Sequence, residues 1–426
     1  MMSSSARRRF HADTPVADIR CTPQGVASRP DAAHSAGGSS RVGRGQRLRF
    51  IGPPRRLSGR NGGSDNDDDD RSGLDPGAGG RRRCRVHLWH LRPIAGVATR
   101  DPARFHELHR LQSDRLFTRI ASTSDGQSFA FTVDANAIAD LVVRTTDHSV
   151  CGSGMCSGRI VHETSSLIYD SADPDLSRQF KLFDYSYVIV PAASTPAQHA
   201  WGYIGLYTAP HAEGPWSQGL KSLGWRSTAD AISSQGATTL LSDIAPLADC
   251  VAFSEPAALV RAAATDIHLA LGCVANVAGQ PQARVVLLRS TDHAATFSYV
   301  GTLLTAADGS SIGSTTPGVQ PADLFERGGD TYLIVSTIGS TTGPAQGRPS
   351  GYTSCTTILV RDLASAAIRR DAGGAPVVIR KLIAPGGLFA GACSFKPEFA
   401  AGYLVFQVTA NPTRPDRIFR SGIRCP

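Results

Sequence analysis

Apolar residues in this chain come in short runs that pair across turns, and a polar residue marks where each pair begins. In Ala252 to Leu259 a carboxylate, Glu255, stands just before Pro256 and a short apolar run; after a loop, Asp266 opens a second run, Ile267 to Leu271. The pattern returns as Gln320-Pro321-Ala322-Asp323-Leu324-Phe325 with Asp330 to Val335, and again as Lys396-Pro397-Glu398-Phe399 with Gly402 to Phe406. A looser, earlier copy is His162-Glu163 to Ile168, answered by Phe180 to Val190. Runs of this length bounded by turn residues read as strands rather than helices. The copies start near residues 164, 256, 321 and 397, and intervals of 92, 65 and 76 suit four-stranded blades with one insertion at Gly219 to Asp249. A further blade before residue 160, with strands at Phe129 to Val133 and Leu141 to Arg144, brings the count to five. The pattern therefore predicts an all-β fold, a five-bladed β-propeller over residues 86–426.

Residues 1–85 break this pattern. They hold 17 Arg and 9 Asp, neither Lys nor Glu, and hardly any apolar periodicity. Such a segment buries too little surface to offset its chain entropy, so it is expected to be a disordered tail. It also carries the whole formal net charge of +8, which leaves the strand-rich part neutral and gives no reason to expect nucleic acid as a partner. No apolar run approaches the roughly 18 residues of a membrane-spanning helix, and no secretory signal is visible at the start. A short helix is expected around Pro102 to Arg115.

Of the nine cysteines, Cys151, Cys156, Cys250, Cys273, Cys355, Cys393 and Cys425 fall in the strand-rich part. They either staple neighbouring strands in an exported protein or stay as buried thiols; if they are stapled, a secreted or periplasmic location is expected. No CxxC spacing occurs, so no structural metal is expected, and no cofactor motif is present. Gly154-Met155-Cys156-Ser157-Gly158 has the outline of a nucleophile elbow without the strand-turn-helix context, and reads as a glycine-rich loop.

In a propeller the innermost strands end around one concavity, where ligands bind. The aligned repeats place Glu163, Glu255, Gln320 and Lys396 at one position beside that channel, with His162 and Asp323 next to it. Two carboxylates there suit the acid and base of glycosidic hydrolysis; a polar funnel closed by a Glu255–Lys396 pair is the alternative. Tyr185, Tyr203, Trp216 and Trp225 are candidates for a sugar platform, or for blade core.

The polar residue, proline, apolar run and Tyr-Leu strand together resemble the five-bladed propeller glycosidases: the arabinanase and xylosidase family, glycoside hydrolase family 43, and its fructosidase-like relatives. Tyr207 to Ala209 with Glu213 to Trp216 is similar to their third-to-fourth strand turn. Ser290-Thr291-Asp292-His293-Ala294-Ala295-Thr296-Phe297 resembles the sialidase Asp-box, a structural turn, with Ala294 in place of Gly and Phe297 in place of Trp. The resemblance covers about residues 127–425. It implies action on carbohydrate, with Asp134 as base, Glu163 as the residue tuning the acid, and Glu255 as acid. From their places in the repeats Gln320, Lys396 and Asp323 are expected to contact substrate. His162 is a substrate contact, a metal ligand or, more commonly for such a residue, a hydrogen-bonded structural histidine, and the protein is expected to be a monomer. Glu163 departs from the family's Asp at that position. A propeller that binds glycan or a protein partner without catalysis is the other reading.

Overall fold

The computed structural model describes residues 86–89, 117–122, 130–195, 197–225, 236–261, 265–315, 318–339, 351–383, 389–396, 403–409 and 417–421. The expected tail over 1–85 and the expected helix near 102–115 lie outside the described residues.

Five sheets, antiparallel except for the last strand pair of the second, follow one another along the described chain. The first joins β1 (Val86–Trp89), β2 (Arg119–Ser122) and β3 (Ala130–Asp134). The second runs through β4 (Ala139–Arg144), β5 (Met155–Tyr169), β6 (Phe180–Ile189), β7 (Ala197–Ala209), β8 (Leu220–Gly224) and the short β9 (Thr239–Leu240). The third is β10 (Cys250–Val260), β11 (Ile267–Val277), β12 (Gln280–Ser290) and β13 (Ser298–Leu304). A one-turn helix, α1 (Ala306–Ser311), leads to the fourth sheet. That sheet holds β14 (Val319–Arg327), β15 (Asp330–Gly339), β16 (Gly351–Asp362) and β17 (Ala367–Ile368), with β18 (Val378–Ile383) on the other end of β16. The fifth is β19 (Phe389–Lys396), β20 (Tyr403–Thr409) and β21 (Arg417–Ser421).

The cores lie between successive sheets, which is what makes these sheets blades. Ile120 and Ala135 of the first pack on Leu182 and Tyr207 of the second. Phe183, Tyr185, Ile204 and Trp225 of the second pack on Phe253, Leu269 and Leu271 of the third. Val285, Leu287 and Leu304 meet Leu324, Leu333 and Val335, and Phe325 and Ile334 meet Cys393 and Phe395. The second, third and fourth blades are thus apolar on both faces, and β6 is buried at every position. The fold is a five-bladed propeller, as the repeat predicts.

One strand in each of the second to fifth blades carries an irregularity: between Glu163 and Ser165 in β5, Ser254 and Ala257 in β10, Pro321 and Asp323 in β14, and Gly391 and Ser394 in β19. A bulge bends a strand and re-aims the side chains beside it. Just past it, one blade is latched to the next. The Ala258 amide donates to Ser166 Oγ (2.9 Å), and the Phe395 amide and Ser394 hydroxyl donate to Asp323 Oδ2 (2.8 and 2.9 Å). Replacing Asp323 by Ala would leave the Phe395 amide without this acceptor and is expected to lower stability by about 1–3 kcal/mol in urea unfolding.

Two boundaries differ from expectation. β4 pairs with β5 and so belongs to the second blade, because β5 runs on before its bulge and takes β4 along that extension. The last repeat is out of phase: β19 ends at Lys396 instead of starting there, and its bulge falls at 391–394. The polar-then-proline pair at Lys396-Pro397 imitates the start of a blade where one inner strand is ending.

Three disulfides settle the open cysteine reading: Cys151–Cys156, Cys250–Cys273 and Cys355–Cys393. The last ties β16 of the fourth blade to β19 of the fifth. Among the described residues no helix is long and apolar enough to cross a membrane. The Asp-box turn between β12 and β13 is built as its resemblance implies. Asp292 accepts from the Thr296 amide and hydroxyl and from Ser290, while His293 and Ala294 take the left-handed conformation (φ 59° and 71°). His293 then reaches the second blade, where its Nδ1 lies 2.9 Å from Asp170 Oδ2. Beneath it sits Lys181, fully buried, with its ammonium 2.5 Å from Asp173, 3.4 Å from Asp170 and 2.7 Å from the Arg178 carbonyl.

Candidate functional site

Side chains alternate between the faces of a strand. That parity splits the predicted site residues of β5 and β6 into two groups. Tyr185 and Tyr187 of β6 face the third blade, and Glu163, directly opposite Tyr185 in register, faces the same way. Asp184 and Ser186 face the first blade, and His162 goes with them.

His162 is therefore not beside Glu163 in space. It is buried, with Nδ1 2.8 Å from Asp184 Oδ2 and Nε2 3.1 Å from the Ala137 carbonyl. Asp184 also accepts from Thr118 (2.9 Å) and Ser165 (2.6 Å). This network bridges the first and second blades, and each of its hydroxyls and ring nitrogens has a protein partner. It satisfies buried polar groups and leaves His162 no free nitrogen for a ligand.

The other face holds the candidate site. Glu255 lies on the β10 bulge with φ 54°, a left-handed conformation that costs a residue with a Cβ on the order of 1 kcal/mol or more. Its carboxyl is buried (8% exposed), and Oε2 has no hydrogen-bond partner. Burial pushes the Glu255 carboxyl well above the usual carboxylate range, and the nearby Glu163 charge pushes it further. Glu163 in turn accepts a hydrogen bond from the Tyr187 hydroxyl (3.1 Å). Glu255 thus holds its proton more tightly than an ordinary carboxyl, beside a second carboxyl that accepts a hydrogen bond.

An aromatic wall backs the pair. Tyr185 stacks on Tyr187 (centroids 5.1 Å) and on Trp225 (6.5 Å), and Trp225 meets Phe253 at 5.3 Å. Tyr187 also meets His199 of β7 at 4.5 Å. Tyr185 and Trp225 are legible in sequence as candidates; Tyr187 and His199 are not, because nothing in their spacing reports which face of β6 the site uses.

The remaining predicted residues fall elsewhere. Gln320 is buried and accepts from the Ser254 hydroxyl (3.2 Å), crossing Gly272, where a Cβ would stand 1.7 Å from its Oε1. It joins the third and fourth blades next to Glu255. Asp323 is the latch to the fifth blade. Lys396 closes the β19–β20 pairing opposite Tyr403, on the far side of the bulge. Asp134 ends β3, third in its sheet, with its side chain exposed. Trp216 packs beside Leu167 and Tyr207, and Tyr203 lies under Lys221 (5.2 Å), so both serve the blade.

No family model and no curated protein sequence matches the chain. Solved structures do. An endo-arabinase from Bacteroides thetaiotaomicron is similar at 10% identity and a TM-score of 0.41, over 74% of this chain and 88% of that one. An exo-1,5-alpha-L-arabinanase from a bovine ruminal metagenomic library is similar at 11% and 0.41, over 72% and 88%. A GH32 beta-fructofuranosidase from Bombyx mori is similar at 12% and 0.39, over 69% of this chain but only 48% of that enzyme. What these likenesses concern is the fold.

Proposed function

We propose that the chain acts on a glycosidic bond of an oligo- or polysaccharide, with Glu255 as proton donor and Glu163 as the second carboxyl of the pair. One observation carries the reading: Glu255 is buried on a strained bulge, with one oxygen unpartnered, beside a second carboxyl that accepts a hydrogen bond. A carboxyl that holds its proton tightly beside a second carboxyl is what acid-and-base chemistry at a sugar requires. Glu255 delivers its proton to the leaving oxygen; Glu163 stabilises the positive charge growing on the ring, or activates the incoming water. In this reading Glu163 takes the part that the resemblance assigns to Asp134. The three disulfides support an exported protein working in an oxidising compartment.

A non-catalytic glycan-binding propeller is the second reading. It draws on the exposed, outer-strand position of Asp134, which leaves the pair without the third carboxylate of the resemblance. A screen of aryl glycosides and linear oligosaccharides, with wild type, Glu163→Gln and Glu255→Gln, decides between them. Hydrolysis lost in both variants is expected. Oligosaccharides bound in calorimetry but left intact would support the binding module, and neither binding nor cleavage would overturn both readings.

A further inference from the structure

The pairing of β6 with β7 contains a feature that neither the propeller nor the carboxyl pair requires. Its register passes from Ser186↔Tyr203 to Val188↔Gln198, so four residues of β7, His199 to Gly202, stand opposite the single residue Tyr187. Bulges of this kind re-aim side chains and gather near active sites. This one is clamped. The Trp225 indole donates to the Ala200 carbonyl (3.0 Å), and Trp201 is buried with Val143 and Val188 on the other face. Gly202 is pressed so closely that a Cβ there would lie 2.8 Å from the Ser186 carbonyl, 2.9 Å from Trp225 and 3.0 Å from Tyr185. The clamp holds His199 over Tyr187, the residue that donates to Glu163.

From this geometry we infer that His199 is a ligand contact: it presents Nε2–H as a fixed, neutral donor to a hydroxyl oxygen of a sugar unit next to the Glu163–Glu255 pair. The inference rests on reading that pair as a glycan site. Three observations support it. Tyr185 is buried, and its hydroxyl lies 2.9 Å from His199 Nδ1. Burial, followed by the charges of Glu163 and Glu255, pushes the Tyr185 phenol far up, so it stays a neutral hydroxyl. Its oxygen also lies 3.5 Å from the His199 carbonyl, and donation from this hydroxyl to Nδ1 is the arrangement the inference takes. A neutral imidazole that accepts at Nδ1 carries its own hydrogen on Nε2. Crowding by protein atoms also pulls His199 below the usual range, although the Glu163 charge opposes this, so the neutral form dominates at pH 7. His199 nevertheless stays open to solvent, while both tyrosines beside it are closed off. Covering Tyr185 alone would not call for a four-residue bulge held by an indole and a glycine without room for a side chain.

The test uses the full chain with histidine labelled in ¹⁵N. Long-range ¹H–¹⁵N spectra at pH 7 are expected to show His199 protonated at Nε2 and bare at Nδ1, and Tyr185→Phe is expected to mix the two tautomers. A proton on Nδ1 in the wild type would overturn the proposal. Binding is then read by calorimetry with linear xylo-, arabino- and fructo-hexasaccharides as probes. His199→Phe is expected to weaken the probe that binds wild type by about tenfold, one hydrogen bond's worth, and His199→Gln, which keeps a donor, by less. If a probe binds His199→Phe and His199→Gln as tightly as wild type, the ligand role falls while the site stands. If no probe binds wild type, both this inference and the glycan reading fall.

Discussion

Replacing Lys181 by Met is expected to destabilise the fold by about 3–5 kcal/mol, the largest effect on stability expected of a single residue here. Lys181 is fully buried at the start of β6, and its ammonium serves Asp173, Asp170 and the Arg178 carbonyl at once. Methionine matches the length and apolar stem but removes the cation, leaving two buried carboxyls without their counter-charge. Asp170, Asp173 and His293 have ligand atoms close enough to hold a metal ion, yet the ammonium already bonds both carboxyls, so the cluster is served by Lys181. The pH dependence follows from Asp173. Burial alone would raise its carboxyl, but the Lys181 hydrogen bond, the Asp175 amide and the charges of Lys181 and Arg178 outweigh it and hold it below its ordinary 3.8. Its contribution is therefore present above that ordinary value and is lost as pH falls through the depressed one. In Lys181→Met the main cause of the depression is gone, and acid sensitivity should begin at higher pH. Urea unfolding at neutral and acid pH checks both points. Asp173→Asn added to Lys181→Met should recover part of the loss, since it removes one stranded charge; no recovery would mean that the cost comes from packing.

The inner-strand motif and the Asp-box turn are short-range features, and each is legible in sequence for that reason; the cysteine bridges, up to 38 residues apart, are not, and the sequence leaves staples and thiols open. Ser290 to Phe297 makes its own hydrogen bonds within eight residues, so its pattern of Ser, Asp and Thr is sufficient to recognise it. Glu163 and Glu255 are legible because each stands beside a run of apolar residues that must be an inner strand. What the sequence hides is parity and phase. His162 and Glu163 are neighbours in the chain but point into different inter-blade layers, and only the register with β6 says which residue faces which blade. Lys396 has the right neighbours but the wrong phase, because a proline after a polar residue marks the end of β19 as readily as the start of a strand. Asp134 does end a strand of the first blade, but β3 is the edge strand there, and nothing in the short run before β4 reports that the next strand pairs in the second blade. His199 owes its position to a four-residue irregularity in β7, and nothing in Gln198-His199-Ala200-Trp201-Gly202 announces a bulge.

Glu255→Gln is expected to separate stability from function. Hydrolysis should fall by about 10²- to 10⁴-fold, the usual contribution of a positioned acid, because the amide fills the same space but has no transferable proton at a useful acidity. Stability should move the other way. The folded chain holds the Glu255 proton more tightly than the unfolded chain does, through burial first and the Glu163 charge second. The stability contributed by that proton is complete below the ordinary value of 4.5 and drains away as pH rises from there toward the raised folded value. Glutamine is neutral throughout, so the variant escapes this loss. Thermal unfolding of both proteins from about pH 4 to about pH 8 should therefore give curves that nearly meet at the acid end and diverge as pH rises, with the variant the more stable. Glu163→Gln should produce a smaller change in the same direction, since it removes only the second cause and leaves burial in place. A gap between wild type and Glu255→Gln that stays constant with pH would show that Glu255 ionises at its ordinary value, and the acid role would go with it. Divergence together with lost hydrolysis would mean that the strained, unpartnered carboxyl on the β10 bulge is kept for its chemistry at a standing cost in stability, a trade expected of active sites and not of structural ones.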